Sequence, residues 1–324
     1  MSRGLARLAA AARLAAAARL GAITLLSACG AAQQPAAPSS AAPTPAAQQP
    51  ATLTPELLDA LRRGPRAVSI PDGRQEIALV GQPTLPLLET RINGHGPYRL
   101  LVDLGSNVIL LRRAVADSAG VEILLDRPTT DILRIDSLSI GGAHFDDVYG
   151  AAYDELDVDG VIGYNLLRHR AFTLALDHMR FVFEAEPLAW TESTAGVMPF
   201  VIEGRMPYVH ARIGQDTFLV NLDTGATEQL TFPADWQGRF AWDSVTAAGP
   251  MTYNNQTGAM RVSVGWPAED FWIGPVRVAR PEVYLNPDAE DAWIGSGLLR
   301  RFTVTVDPAR QLLRLVPVDE AMKG

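Results

Sequence analysis

The chain has 324 residues, 48% hydrophobic and 20% charged, with a net charge of −8. That is apolar material for a sizeable core in one large domain or two ordinary ones, and the acidic balance, with Lys323 the single lysine, excludes the basic patch of a nucleic-acid binder. A single cysteine excludes a disulfide framework and a cysteine-based zinc site, the five scattered histidines form no His-Glu-x-x-His, and neither a Gly-x-Ser-x-Gly elbow nor a Gly-x-x-x-x-Gly-Lys loop occurs, so no metal and no cofactor is expected.

In chain order, residues 1–28 come first, with Arg3, Arg7, Arg13 and Arg19 and no acid. The apolar stretch Leu20 to Ala28 is too short to span a bilayer as a helix and reads as a signal-peptide core. It ends in Leu26-Ser27-Ala28-Cys29, which resembles the lipobox of bacterial lipoproteins. The resemblance implies cleavage before Cys29 and its lipidation; an ordinary secretory signal with a chance cysteine is the alternative. Gly30 resembles the residue found after the cysteine in lipoproteins sent to the outer membrane. The implied location is the bacterial cell envelope, lipid-anchored, facing the periplasm if the cell is Gram-negative. Several acyl chains together give stable anchoring. Residues 29–53, rich in Ala, Pro and Gln, read as a flexible tether. A short helix is expected over Thr54 to Arg63, with Thr54 as cap and Pro55 at the first position.

The remainder repeats itself. Leu85 to Ile92 matches Met206 to Ile213, Leu100 to Ser106 matches Val220 to Ala226, Val161 to Arg168 matches Trp293 to Arg300, and Phe172 to Asp177 matches Phe302 to Asp307. The order is the same in both halves, at offsets of 121, 120, 132 and 130. Short apolar runs bounded by Gly, Asn, Asp or Pro read as strands, and Ile132 to Ile140, Gly141-Gly142 and His144 to Tyr149 as a hairpin. Helical signals are confined to Arg112 to Ser118, Asn165 to Arg168, Pro233 to Trp236 and Leu298 to Arg301. The expectation is a mainly β protein of two similar lobes, 54–190 and 197–317.

Each half carries one Asp-x-Gly at the end of an apolar strand, Asp103-Leu104-Gly105 and Asp223-Thr224-Gly225, and a later apolar-apolar-Gly segment ending at Gly163 or Gly295. A glycine after the acid lets the backbone turn and the opposite loop approach. Glycines at 163 and 295 let those strands pass the loop of their own lobe. Over roughly residues 80–317 this pattern resembles the aspartic proteases, as two retropepsin-like units fused into one pepsin-like chain. The resemblance implies an acid-protease fold of two β-barrel-like lobes with a cleft between them. It further implies an endopeptidase in which Asp103 and Asp223 activate a water against a peptide or protein substrate, supported by Gly105, Ser106, Thr224, Gly225, Gly163 and Gly295. Both acids come from one chain, so a monomer suffices.

The flanking residues differ between the halves. Ser106 is placed to donate to the outer oxygen of Asp103, while Ala226 has no hydroxyl; a donor to the charged form lowers a carboxyl pKa, so Asp103 is expected ionised and Asp223 protonated. Leu104 stands where the family has Thr or Ser, so only Thr224 can bond the opposite loop through its side chain. That departure supports an alternative, a weakened or inactive envelope lipoprotein that binds peptides; a structural lipoprotein is a third reading. The segment Gly249 to Gly258, with Tyr253 near its tip, is the candidate flap, and a plain surface hairpin is the equal alternative. Asp177 and Asp307 read as turn residues, Asp154 to Asp159 as a solvated acidic loop, and Trp236, Trp242, Trp266 and Trp272 as core.

Overall fold

The computed structural model describes residues 53–127, 130–154, 156–252 and 259–318. The expected signal, Cys29 and most of the tether lie outside the described residues, as does Tyr253.

The helix Pro55–Arg63 forms as its sequence dictates. Thr54 is the extended N-cap, its hydroxyl accepts from the Leu57 N–H at 3.3 Å, and Gly64 at φ +82° ends it. Beyond this helix the chain is mostly strand. Leu85–Ile92 and His95–Asp103 form a hairpin across Asn93-Gly94, whose φ values of 49° and 81° suit a tight primed turn. The expected long hairpin is present as Asp131–Ile140 and Ala143–Tyr153 around Gly141, at φ +56°.

One set of pairings builds each lobe. In the first, Gly160–Gly163 runs parallel to His95–Asp103, with Gly163 opposite Asp103, and antiparallel to Ile109–Arg112. Ile109–Arg112 in turn runs parallel to Ala143–Tyr153. In the second, Trp293–Gly295 runs parallel to Asp216–Asp223, with Gly295 opposite Asp223, and antiparallel to Leu230–Pro233, which runs parallel to Val283–Asn286. The fold is mainly β, with two corresponding barrel-like lobes, and the alternating side chains of these strands fill the barrel interiors: Leu100, Val102, Ile109 and Ile162 in one lobe, Val220, Leu222, Leu230 and Ile294 in the other.

A shared sheet joins the lobes. Phe172–Ala175 pairs antiparallel with Phe302–Asp307, placing Leu174 opposite Val304, its own counterpart in the other half. The hydroxyls of Thr173 and Thr305 meet at 2.8 Å. Gln75–Ala78 and Arg180–Phe183 extend the sheet on one side, Leu312–Pro317 and Val197–Glu203 on the other.

Two smaller expectations are refined. The acidic run is exposed at Asp154 and Asp157 as expected, and it is also held by arginines: Asp159 accepts from Arg112 Nη2 at 2.7 Å and from the Arg99 N–H at 2.9 Å, and Asp154 from Arg113 Nε at 3.0 Å. The four tryptophans are half-buried instead of core. Trp236 borders an aromatic cluster of Phe218, Phe232 and Phe240, with the Arg239 guanidinium 4.4 Å from its ring centre. Its indole is too large and polar to lie wholly inside.

Candidate active site

The two Asp-x-Gly loops meet where the lobes meet. Each aspartate ends a strand whose neighbour ends in the facing glycine, and both glycines leave no spare room. A Cβ on Gly163 would fall inside the contact distance of the Val108 and Ser106 carbonyl oxygens, and one on Gly295 inside that of Glu228 and Ala226. The carbonyls of Ser106 and Ala226 accept the N–H of Tyr164 at 2.8 Å and of Ser296 at 2.7 Å, so the two loops are pinned alike. Gly105 is needed for the meeting itself. A Cβ there would stand 2.7 Å from Asp223 Cγ and 3.1 Å from Asp103 Oδ1.

Backbone amides surround the carboxyl groups. Asp103 Oδ1 accepts from the Gly105 N–H at 2.8 Å and, across the lobe boundary, from the Gly225 N–H at 3.3 Å. Asp223 Oδ1 accepts from the N–H groups of Gly225 at 3.0 Å and Ala226 at 2.9 Å. The two side chains share the Gly225 N–H as a common donor, and both are buried, Asp103 at 0% and Asp223 at 4% exposure. Burial first, and the Asp223 charge second, hold the Asp103 carboxyl well above the usual carboxylate range, against the Gly105 and Gly225 amides. Carboxylates this close share one proton and titrate as a pair.

That geometry removes the reason the sequence offered for placing the proton on Asp223. The Ser106 hydroxyl does not reach Asp103; it donates to the Val108 carbonyl at 2.9 Å. The residue lacking a hydroxyl is the better donor, because the Ala226 backbone N–H bonds Asp223 directly. Asp103 Oδ2 is buried with no hydrogen-bond partner among the described residues. The raised pKa of Asp103 favours the shared proton on that residue.

Thr224 grips one way only. Its hydroxyl accepts from the Leu104 N–H at 3.1 Å and donates to the Val102 carbonyl at 2.7 Å, both on the opposite lobe. The Leu104 side chain is fully buried in the apolar core and offers no hydroxyl in return. Two residues that sequence reasoning passed over also hold the loops. Ser296 Oγ donates to the Ala226 carbonyl at 2.6 Å and the Thr84 carbonyl at 3.0 Å, and Asn107 Nδ2 donates to the Gly204 carbonyl at 3.0 Å. Their positions, just past Gly295 and Ser106, were the available signal.

A two-lobed β frame with one buried aspartate from each lobe, paired beneath glycine loops, is the architecture of an acid-protease fold. Residues 88–166 match a family model described as aspartyl protease. No curated protein matches the sequence. Among solved structures, an aspartic proteinase from Irpex lacteus is similar at 13% identity and a TM-score of 0.49, over 76% of this chain and 98% of that one. Basic 7S globulin from soybean is similar at 13% identity and a TM-score of 0.43, over 78% of this chain and 97% of that one.

Proposed function

We infer that this protein is an aspartic endopeptidase that cleaves peptide or protein substrates with no metal or cofactor. The observation that carries the reading is the meeting of Asp103 and Asp223, two buried carboxyl groups served by one backbone amide, the Gly225 N–H. The charged Asp223 takes a proton from a water while its oxygen attacks the peptide carbonyl carbon, and Asp103 gives its proton to the carbonyl oxygen. The product is a neutral diol with no bond to the enzyme. On collapse a diol hydroxyl returns its proton to Asp103, Asp223 protonates the departing nitrogen, and the C–N bond breaks. Asp103 serves as the acid because burial and the neighbouring charge raise its pKa.

As part of the same reading, the protein is a monomer held by lipid on Cys29 at the bacterial cell envelope, and the flap role stays with the segment around Tyr253. A second reading, a peptide-binding protein that does not cleave, has Leu104 in its favour, since the loops are gripped by one hydroxyl. Digestion of a mixed peptide library from acidic to neutral pH separates the two. Products that vanish in Asp223→Asn and with a statine-type peptide establish the hydrolase. Peptide binding that survives Asp223→Asn, with no product from either protein, establishes the binder.

A further inference from the structure

Two buried polar groups near the lobe boundary have no partner among the described residues. Arg205 lies in the turn between the paired strands Val197–Glu203 and Met206–Ile213, half-buried, and its Nη1 is enclosed without an acceptor. Asn165, in the helix Tyr164–Leu167, is 3% exposed, and neither its Nδ2 nor its Oδ1 is bonded. Burying a donor without an acceptor is costly, and a bound ion or water is the usual answer.

Both groups border one junction. Gly204 and Arg205 take φ values of 52° and 71°, as a tight primed turn requires, and the Gly204 carbonyl accepts from Asn107 Nδ2 at 3.0 Å. Asn165 approaches the same segment. Its counterpart in the second half is Gly297, where a Cβ would meet the Thr227 and Glu228 carbonyls at 2.5 and 2.8 Å. Asn107 and Val108 hold those places in the first half, so the Asn165 side chain leaves its helix toward them.

Positive charge gathers at this junction. Arg168 caps the helix that carries Asn165, and its Nη2 donates to the Arg63 carbonyl at 2.6 Å. That bond brings in Arg62 and Arg63 from the last turn of Pro55–Arg63. Burial first, then the charges of Arg62 and Arg168, hold the Arg205 guanidinium below its usual range against Asp59. Asp59 is a weak counterweight, with a side chain 76% exposed and 4.0 Å from Arg63. Residues 1–55 contain no acid that could supply the missing charge. A guanidinium fork matches the paired oxygens of a phosphate or carboxylate.

We propose that Arg205 and Asn165, with Arg168 and Arg62 adding charge, form a binding site for an oxyanion, a phosphate or carboxylate group, at the lobe boundary beside Asn107. The site is separate from the acid pair, and its readout is binding, not cleavage. Phosphate titrated into the full chain at constant ionic strength, with chloride as the balancing anion, tests it. Calorimetry should show one phosphate per chain, and hydrogen exchange should show amides 204–206 protected tenfold or more by phosphate. Absence of binding, or binding that leaves those amides unchanged, overturns the site. In Arg205→Asn, chosen because asparagine tolerates the positive φ of the turn, phosphate should bind at least tenfold more weakly, and likewise in Arg168→Met. Undiminished binding in a folded variant overturns the proposal; if neither variant folds, the exchange result on the parent chain decides. A glutamate-containing peptide and its glutamine analogue separate the two sources of the anion. Competition with phosphate by the glutamate peptide alone assigns the site to a peptide carboxylate, and competition by neither assigns it to a free anion. Equal competition by both peptides overturns recognition of charge.

Discussion

The two lobes present opposite chemistry on equivalent surfaces. In the first, Leu101 lies beside Val161, which lies beside Leu110; in the second, the same register sets Asn221 beside Trp293 and Trp293 beside Thr231. The apolar trio belongs to a cluster that also takes in Leu61 of the N-terminal helix. The polar surface makes its own bonds: Asn221 Nδ2 donates to the Pro207 carbonyl at 3.0 Å, and the Tyr208 hydroxyl donates to Asp291 at 3.3 Å. Frame and surface thus answer to different constraints. Glycines facing the acids cannot change without a clash, while their buried neighbours differ in polarity between the halves, so the lobes match around the acids and differ in what packs beside them.

The largest effect tests the equality of the acids. Asp103→Asn and Asp223→Asn should each reduce kcat by about 10²–10⁴-fold on a fluorogenic peptide, the usual scale for an acid–base group; a large loss from one alone would break the pairing. Next comes the equality of the frames. Gly163→Ala and Gly295→Ala each force a methyl against backbone carbonyls and should destabilise by about 3 kcal/mol in chemical denaturation, the upper end for overpacking. The grip is where the lobes should differ. Thr224→Val loses two hydrogen bonds across the boundary and should cost about 2 kcal/mol. Leu104→Thr should not add stability: it buries a hydroxyl in place of apolar core, a loss of about 1–2 kcal/mol.

The smallest effect is one of pH. Asp103 keeps its proton in the folded chain at pH values where the unfolded chain has lost it. Its contribution to stability is therefore complete below the ordinary carboxylate range and is lost as pH rises toward its raised value. Asp103→Asn should remove that decline, so its melting temperature should gain on the parent chain between acidic and neutral pH. A parallel pH profile for the two proteins would place the proton elsewhere.

Much of this frame was legible in the chain. Asp103, Asp223, Gly163 and Gly295 stand out because a turn, an acid and a close backbone approach each demand a residue type that few others can replace. The capped helix at Thr54 and the hairpin around Gly141 were legible for the same local reason. The role of Ser106 was misjudged because its side chain suggested a donor, whereas the working donors are the backbone amides of Gly105, Gly225 and Ala226, which every sequence possesses. Nor could spacing show that Phe172–Ala175 would pair across the halves, since strand partners are chosen by tertiary packing.

That shared sheet has a consequence for dilution. With Leu174 hydrogen-bonded alongside Val304 and strands from each half flanking them, the halves are two leaves of a single spine joined by a covalent link. Their encounter is intramolecular, at an effective concentration fixed by the connecting chain. Thinning the solution a thousandfold leaves the two acids facing each other.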